Sequence, residues 1–277
     1  MKKNERAAAI VRTIVVSLIA VLFVVPLVWM VLSSLKTAPE VFARPFHWLP
    51  ARVQWQNYAT VWMNEEASML RAFANTLYIA LFSIVGQMFI SSLAAYSFAK
   101  INFKGKQVVF MLFLSSMMVP SQLTIIPRFM LFKTIGLYNN LWAIILPAFF
   151  GATSIFMLRQ FYMGLPNDLI EAAKIDGAGH LRIFLRIMLP LTKAALMSLI
   201  ILAFISSWNE YMAPLIFLVK KELYTVSQNI QWYMLDEFKE HNLTMAAATS
   251  AIVPVVILFK IKKKYFVEGI ATSGVKG

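Results

Sequence analysis

The sequence predicts an all-α membrane protein that crosses the bilayer six times, with both termini on the cytoplasmic side. Three observations carry this expectation. First, 60% of the 277 residues are hydrophobic and 14% are charged, against roughly 25% charged in a soluble domain. A soluble core built from such a chain would leave too much apolar surface in water. Second, charge-free apolar stretches recur between charged residues at lengths near the ~20 residues that a spanning helix needs. Third, Lys and Arg are distributed unevenly over the two sides that these spans define.

The spans follow in order. Arg12 and Lys36 bracket the first, Arg71 and Lys100 the second, Lys106 and Arg128 the third, and Lys133 and Arg159 the fourth. Lys193 to Lys220 holds the fifth, interrupted by Glu210, and Glu240 to Lys260 the sixth. Helices are expected over about 12–35, 72–99, 107–128, 138–160, 190–218 and 242–262, as one membrane domain covering 1–277. The opening "MKKNER" resembles the basic region of a signal peptide. The apolar run behind it is longer than a signal core and no A-x-A site follows, so a retained helix is expected. Pro26, Pro120, Pro127, Pro147, Pro214 and Pro254 fall in the spans and predict kinks, which membrane helices tolerate. The small-residue patches "SSLAAYS" and "AAATSA" allow close helix packing, within the chain or between subunits. The Trp-rich loop from Lys36 to Arg71 is expected at the membrane interface.

Six spans put both termini on one side. That side, with the second and fourth loops, holds about two thirds of the 26 Lys and Arg residues. The opposite loops contain Glu65, Glu66, Asp236, Glu237 and Glu240. The positive side is cytoplasmic. The formal net charge of +13 is therefore read as a membrane-orientation signal, and no nucleic-acid partner is expected.

Catalytic chemistry is hard to assemble from these residues. There is no cysteine, which excludes disulfides and thiolate chemistry. His47, His180 and His241 are far apart, no H-E-x-x-H is present, and neither is the phosphate loop G-x-x-x-x-G-K-[ST]. No catalytic residue, metal or cofactor is expected, and the chain should not hydrolyse ATP alone.

One segment reads like soluble protein. In 165–190, Pro166 suits a first helical turn, Asn167 or Asp168 can cap it, and Asp168 and Glu171 place negative charge at the positive helix end. Ala172 and Ala173 make one face small, and Leu169, Ile170 and Ile175 are apolar. Gly177 supplies a permissive turn. Leu181 to Leu189 reads as a second helix with Arg182 and Arg186 on one face, ending where Pro190 begins span five. A small-faced apolar helix in the cytoplasm suits a groove in a partner.

Glu171-Ala172-Ala173, Gly177, Ile187, Leu189 and Pro190 form the pattern EAA, three residues, G, nine residues, I-x-L-P. With "LPNDLIEAAKIDGA", "SSWNEYMAPLIFL" and "KKYFVEGIATSGVKG", the chain resembles, over essentially its whole length, the membrane subunits of bacterial ABC importers, in their carbohydrate-uptake branch of maltose-type permeases. The resemblance implies a permease subunit of the bacterial cytoplasmic membrane. Its helix holding Glu171, Ala172, Ala173 and Asp176 would couple to a cytoplasmic ATPase dimer. It further implies a second homologous permease as heterodimer partner, and an extracytoplasmic sugar-binding protein. The cargo implied is a sugar, an oligosaccharide in first place, with a polyol or sugar phosphate as alternatives.

Trp208, Asn209, Glu210 and Tyr211 are the most polar cluster within a span. An intramembrane acid avoids lipid, and an aromatic beside hydrogen-bonding groups suits a sugar ring. The cluster either lines the substrate path or ties helix five to its neighbours. A secondary transporter would call for inverted repeats and ion-coupling charges, and apart from Glu210 the sequence offers neither.

Overall fold

Regular backbone is defined over residues 2–235 and 240–274 of the computed structural model, and side chains over 8–235 and 240–261. Asp236 and Glu237, counted above among the outer acids, lie outside the described residues, as do the side chains of "MKKNER" and of the whole C-terminal motif. Among the described residues every regular element is a helix and there is no strand. The chain divides into two compact units, residues 1–70 with 229–253 and residues 71–228 with 254–277.

The first unit begins with α1 (Lys2–Ser33). Its Ala8–Ser33 stretch has a mean hydropathy of 2.9 and no buried residue in its apolar window. In a single chain such a helix is stable only in lipid. α2 (Ala38–Val41) opens with a capping box. The Glu40 carboxylate accepts the Thr37 N–H at 2.9 Å and the Thr37 hydroxyl at 3.0 Å. The Thr37 backbone bond outweighs the effect of burial and holds the Glu40 carboxyl below its ordinary pKa. α3 (Gln56–Met63) carries the buried Asn57. Its side-chain amide donates to the Ser34 and Lys36 carbonyls, each at 2.8 Å, and its oxygen accepts from Asn242 at 3.0 Å. One side chain thus joins the exit of α1, the start of α3 and the first turn of the last helix.

The second unit is built on α4 (Met69–Lys100). It continues through α5 (Lys106–Ser116), α6 (Ser121–Thr134), α7 (Trp142–Ala148) and α8 (Ala152–Met163). Next come α9 (Asp168–Ile175), α10 (His180–Ile183), a π-helical turn (Phe184–Met188) and α11 (Leu189–Leu191). α12 (Lys193–Trp208) and α13 (Met212–Phe217) follow. α14 (Val226–Tyr233) and α15 (His241–Gly274) each begin in one unit and end in the other.

Four stretches are long and apolar enough to cross a membrane: Ala8–Ser33, Met69–Lys100, Trp142–Met163 and His241–Ile261. Two bent pairs raise the count to six if each is one span. The kink expected in 107–128 is a 96° bend between α5 and α6. Pro120 lacks an N–H and disfavours helix at Val119, so the ladder stops before it. The expected 190–218 helix breaks twice. A 76° bend separates His180–Leu191 from α12, and residues 209–211 separate α12 from α13. The expected 138–160 helix is interrupted between α7 and α8, where the Phe149 ring lies against α4. A β-carbon on Gly86 would come within 2.1 Å of that ring, so only glycine permits this approach.

Candidate functional site

The segment 165–190 is anchored before it is exposed. α9 sends Ile170 and Ala173 into a core with Tyr96, Leu158, Tyr162, Ile183, Phe184 and Met188. Its other face leaves Leu169, Glu171, Ala172 and Ile175 exposed, Ile175 at 86%. The small face expected from Ala172 and Ala173 together is therefore split. Residues one apart on a helix are about 100° apart around its axis, so one alanine seats the helix and the other faces outward.

The end of α9 is fixed by backbone geometry. The Ala178 N–H donates to the Ala173 carbonyl at 2.9 Å and the Gly177 N–H to the Lys174 carbonyl at 3.0 Å. Gly177 has φ +77°. These are the bonds of a Schellman closure, which places a left-handed residue at the first position past the cap. A β-carbon on Gly177 would meet no atom within 4 Å, so the need for glycine comes from the backbone and not from crowding. Asp176 is the C-cap residue of α9. Ile187 and Leu189 pack part-buried against the same core, and Pro190 is exposed in α11.

Side chains outside the motif hold it. The Lys100 ammonium, at the last residue of α4, donates to the Leu165 carbonyl and the Asn167 Oδ1, both at 2.7 Å. Asn167 is thus engaged with Lys100, and no side-chain cap is made at the start of α9. The Tyr96 hydroxyl lies 3.1 Å from His180 Nδ1. The sequence reading missed both anchors. A lysine ending a span looks like an orientation signal, and only the fold shows which carbonyl it reaches.

The second candidate cluster is pulled apart. Trp208 is 3% exposed, stacked on Phe204 at 5.6 Å and edge-on to Phe73 at 5.3 Å. Its ring is core. Asn209 ends α12, with its side-chain amide bonded to the Ile205 carbonyl at 2.8 Å. The Asn209 N–H donates to the same carbonyl at 3.1 Å, so this residue closes the last turn of α12 with both groups. Tyr211 is half-buried at the cap of α13. Glu210 Oε1 accepts the Ala213 N–H at 3.0 Å and so helps to start α13.

Glu210 also faces a cavity of about 420 Å³. With it the lining includes Ser83, Gln87, Gln122, Arg128 and Ser207. The Arg128 guanidinium lies 5.0 Å over the Phe217 ring, and its Nε is buried without a hydrogen-bond partner. Ser83 Oγ is likewise buried and unpartnered. The sequence reading named Glu210 alone of these. Gln87 and Gln122 were legible as amides inside apolar runs, and Arg128 as the charge that closes one.

Among the described residues, no group of three or more His, Cys, Asp or Glu could hold a metal ion.

Residues 87–272 match the family described as binding-protein-dependent transport system inner membrane component. The arabinooligosaccharides transport system permease protein AraQ of Bacillus subtilis is 33% identical over 267 residues, 96% of this chain and 95% of that protein. The diacetylchitobiose uptake system permease protein NgcG of Streptomyces coelicolor is 28% identical over 92% of this chain and 85% of its own length. The sn-glycerol-3-phosphate transport system permease protein UgpE of Pectobacterium atrosepticum is 29% identical over 94% of each chain. A chain from the crystal structure of a bacterial ABC transporter involved in the import of the acidic polysaccharide alginate superposes with a TM-score of 0.84. That match covers 95% of this chain and 98% of the other at 23% identity, a likeness of fold.

Proposed function

Because the chain belongs to the family of binding-protein-dependent transport system inner membrane components, and so is a multi-pass permease subunit and not an enzyme, we propose that it forms half of the translocation path of an ATP-driven sugar importer. Six spans, one domain over 1–277 and both termini in the cytoplasm complete this reading, with the bent pairs α5–α6 and α10–α12 each contributing one span. The membrane is the bacterial cytoplasmic membrane.

The observation that carries the proposal is the two-faced α9. Its inner face is bolted to the chain's own core through Ile170 and Ala173. Its outer face presents Leu169, Ala172 and Ile175 to the surroundings. Exposed apolar residues on a short, well-anchored helix suit a groove in a partner. In this reading Glu171, Ala172, Asp176 and Gly177 meet a cytoplasmic ATPase dimer, while Ala173, Ile187, Leu189 and Pro190 carry its movement into α12. A second permease completes the path and an extracytoplasmic binding protein delivers the sugar. The relatives' names divide between uncharged oligosaccharides and a phosphate ester. An oligosaccharide is the cargo proposed here.

The test places a cysteine at position 174 in the cysteine-free chain. A membrane-impermeant thiol reagent should label inside-out vesicles only, and less so with the ATPase attached. Labelling of intact cells overturns the topology. Equal labelling with and without the ATPase overturns the docking face.

A further inference from the structure

The cavity beside α13 has a charge pattern with a consequence for cargo. Its described lining contains two charged residues, Arg128 from α6 and Glu210 from the α12–α13 break, and their formal charges cancel. Around them stand uncharged hydrogen-bonding groups: Ser83 and Gln87 from α4, Gln122 from α6 and Ser207 from α12. Two of the polar atoms, Arg128 Nε and Ser83 Oγ, are buried without partners. Ser121, Gln122 and Ser206 are exposed in this lining. Polar side chains do not face lipid when water or a cavity is within reach, so this face is wet.

We infer that this cavity is a subsite for uncharged glycans, and that the Arg128–Glu210 pair is a specificity device that rejects charged sugars of either sign. The inference rests on the importer reading and narrows its cargo, setting aside the sugar-phosphate alternative. A neutral polyol surface satisfies donors and acceptors alike and leaves the two charges balanced. An anionic sugar would gain from Arg128 but would bring its own charge toward Glu210, and like charges repel. A cationic sugar meets the mirror-image penalty from Arg128. Glu210 is also tied to the Ala213 N–H, so it cannot swing away freely. Rejection of the wrong charge is how a site gains specificity without binding the right ligand more tightly.

The test uses the chain assembled with its partner permease and ATPases in nanodiscs, without the binding protein, so that the filter measured is the permease's own. Binding of arabinotriose, trigalacturonate and triglucosamine is measured by equilibrium dialysis, and ATP-driven uptake of each is followed in parallel in vesicles supplied with the binding protein. The unsubstituted assembly should prefer arabinotriose to both charged sugars. Glu210→Gln keeps the acceptor for Ala213 and unmasks Arg128, and it should shift the ratio toward trigalacturonate by about tenfold. Arg128→Gln should shift it toward triglucosamine to a similar extent. The double variant should return to the neutral preference, a compensation that a purely structural role does not produce. Should one single variant fail to assemble, the other single and the double still decide. Ratios unmoved by either charge overturn the inference, as does binding of a charged sugar by the unsubstituted assembly. Uptake of arabinotriose with no binding to the assembly overturns the subsite and leaves the importer reading standing. Failure to take up any of the three would overturn both.

Discussion

Two segments of the second unit stand out against an apolar chain, 165–190 and 208–211, and they fold by opposite rules. In the first, a polar-looking stretch keeps its local design. α9 starts after Pro166, turns at Gly177 and holds its charges outside. In the second, a four-residue cluster that reads as one polar site is dispersed. Trp208 goes to the core, Asn209 ends one helix, and Glu210 faces a cavity whose other walls come from α4, α6 and α7. A short helix with a closed end is specified by residues close in sequence. A cavity is specified by distant ones. The first segment's structure can therefore be read locally, and the second's must be assembled from neighbours.

Substitutions at five positions break or sharpen this contrast. The largest effect is expected at Glu210. Glu210→Leu removes both the acceptor for Ala213 and the countercharge to Arg128, and should lower sugar uptake by at least about tenfold, since an unsatisfied buried donor costs about 1–3 kcal/mol. Glu210→Gln should remain much closer to the unsubstituted chain for uncharged sugar. Equal uptake by the Leu variant would remove any part for the break in transport.

Next comes the split between the two alanines. Ala173→Leu forces extra volume into a packed core and should destabilise the seat of α9 by about 1–3 kcal/mol. It should be visible as lower thermal stability of the purified chain. Ala172→Leu points outward and should leave that stability within about 0.5 kcal/mol while weakening ATPase attachment. If both variants lose the same stability, the two-faced arrangement is refuted.

Lys100→Met removes two charge-assisted bonds to the start of the segment while keeping the bulk. Such bonds contribute about 1.5 kcal/mol at a part-exposed site. The expected outcome is normal membrane abundance with several-fold less sugar moved per ATP hydrolysed. Tight coupling in this variant would show that α4 does not steer α9.

The last contrast is at Gly177. With no atom near a β-carbon, the cost of Gly177→Val is conformational, about 1–2 kcal/mol for a β-branched residue at positive φ. Gly177→Asn should cost less, because asparagine tolerates this backbone. The pair is compared by ATPase co-purification. Equal retention of ATPase by Val, Asn and Gly would argue against the Schellman turn as the part that orients the helix.

Sequence by itself determined the all-helical class, the apolar stretches and the position of the segment from Asp168 to Gly177. Each of these rests on short-range rules: segment hydropathy, a proline at the helix entry and a glycine that permits a left-handed turn. The same rules located breaks only loosely. Pro120 announced a kink, and its 96° bend was set as α5 packed on α8 and α6 on α13. Only the tertiary structure decided that Trp208 is core, that Lys100 and Tyr96 hold the segment, and that Arg128 shares a cavity with Glu210. Those facts depend on which residues, tens of positions apart, arrive at one place. In an apolar chain nearly every residue can be buried, so hydrophobic pattern leaves the burial partner open. Packing and the pairing of the few polar groups then settle it.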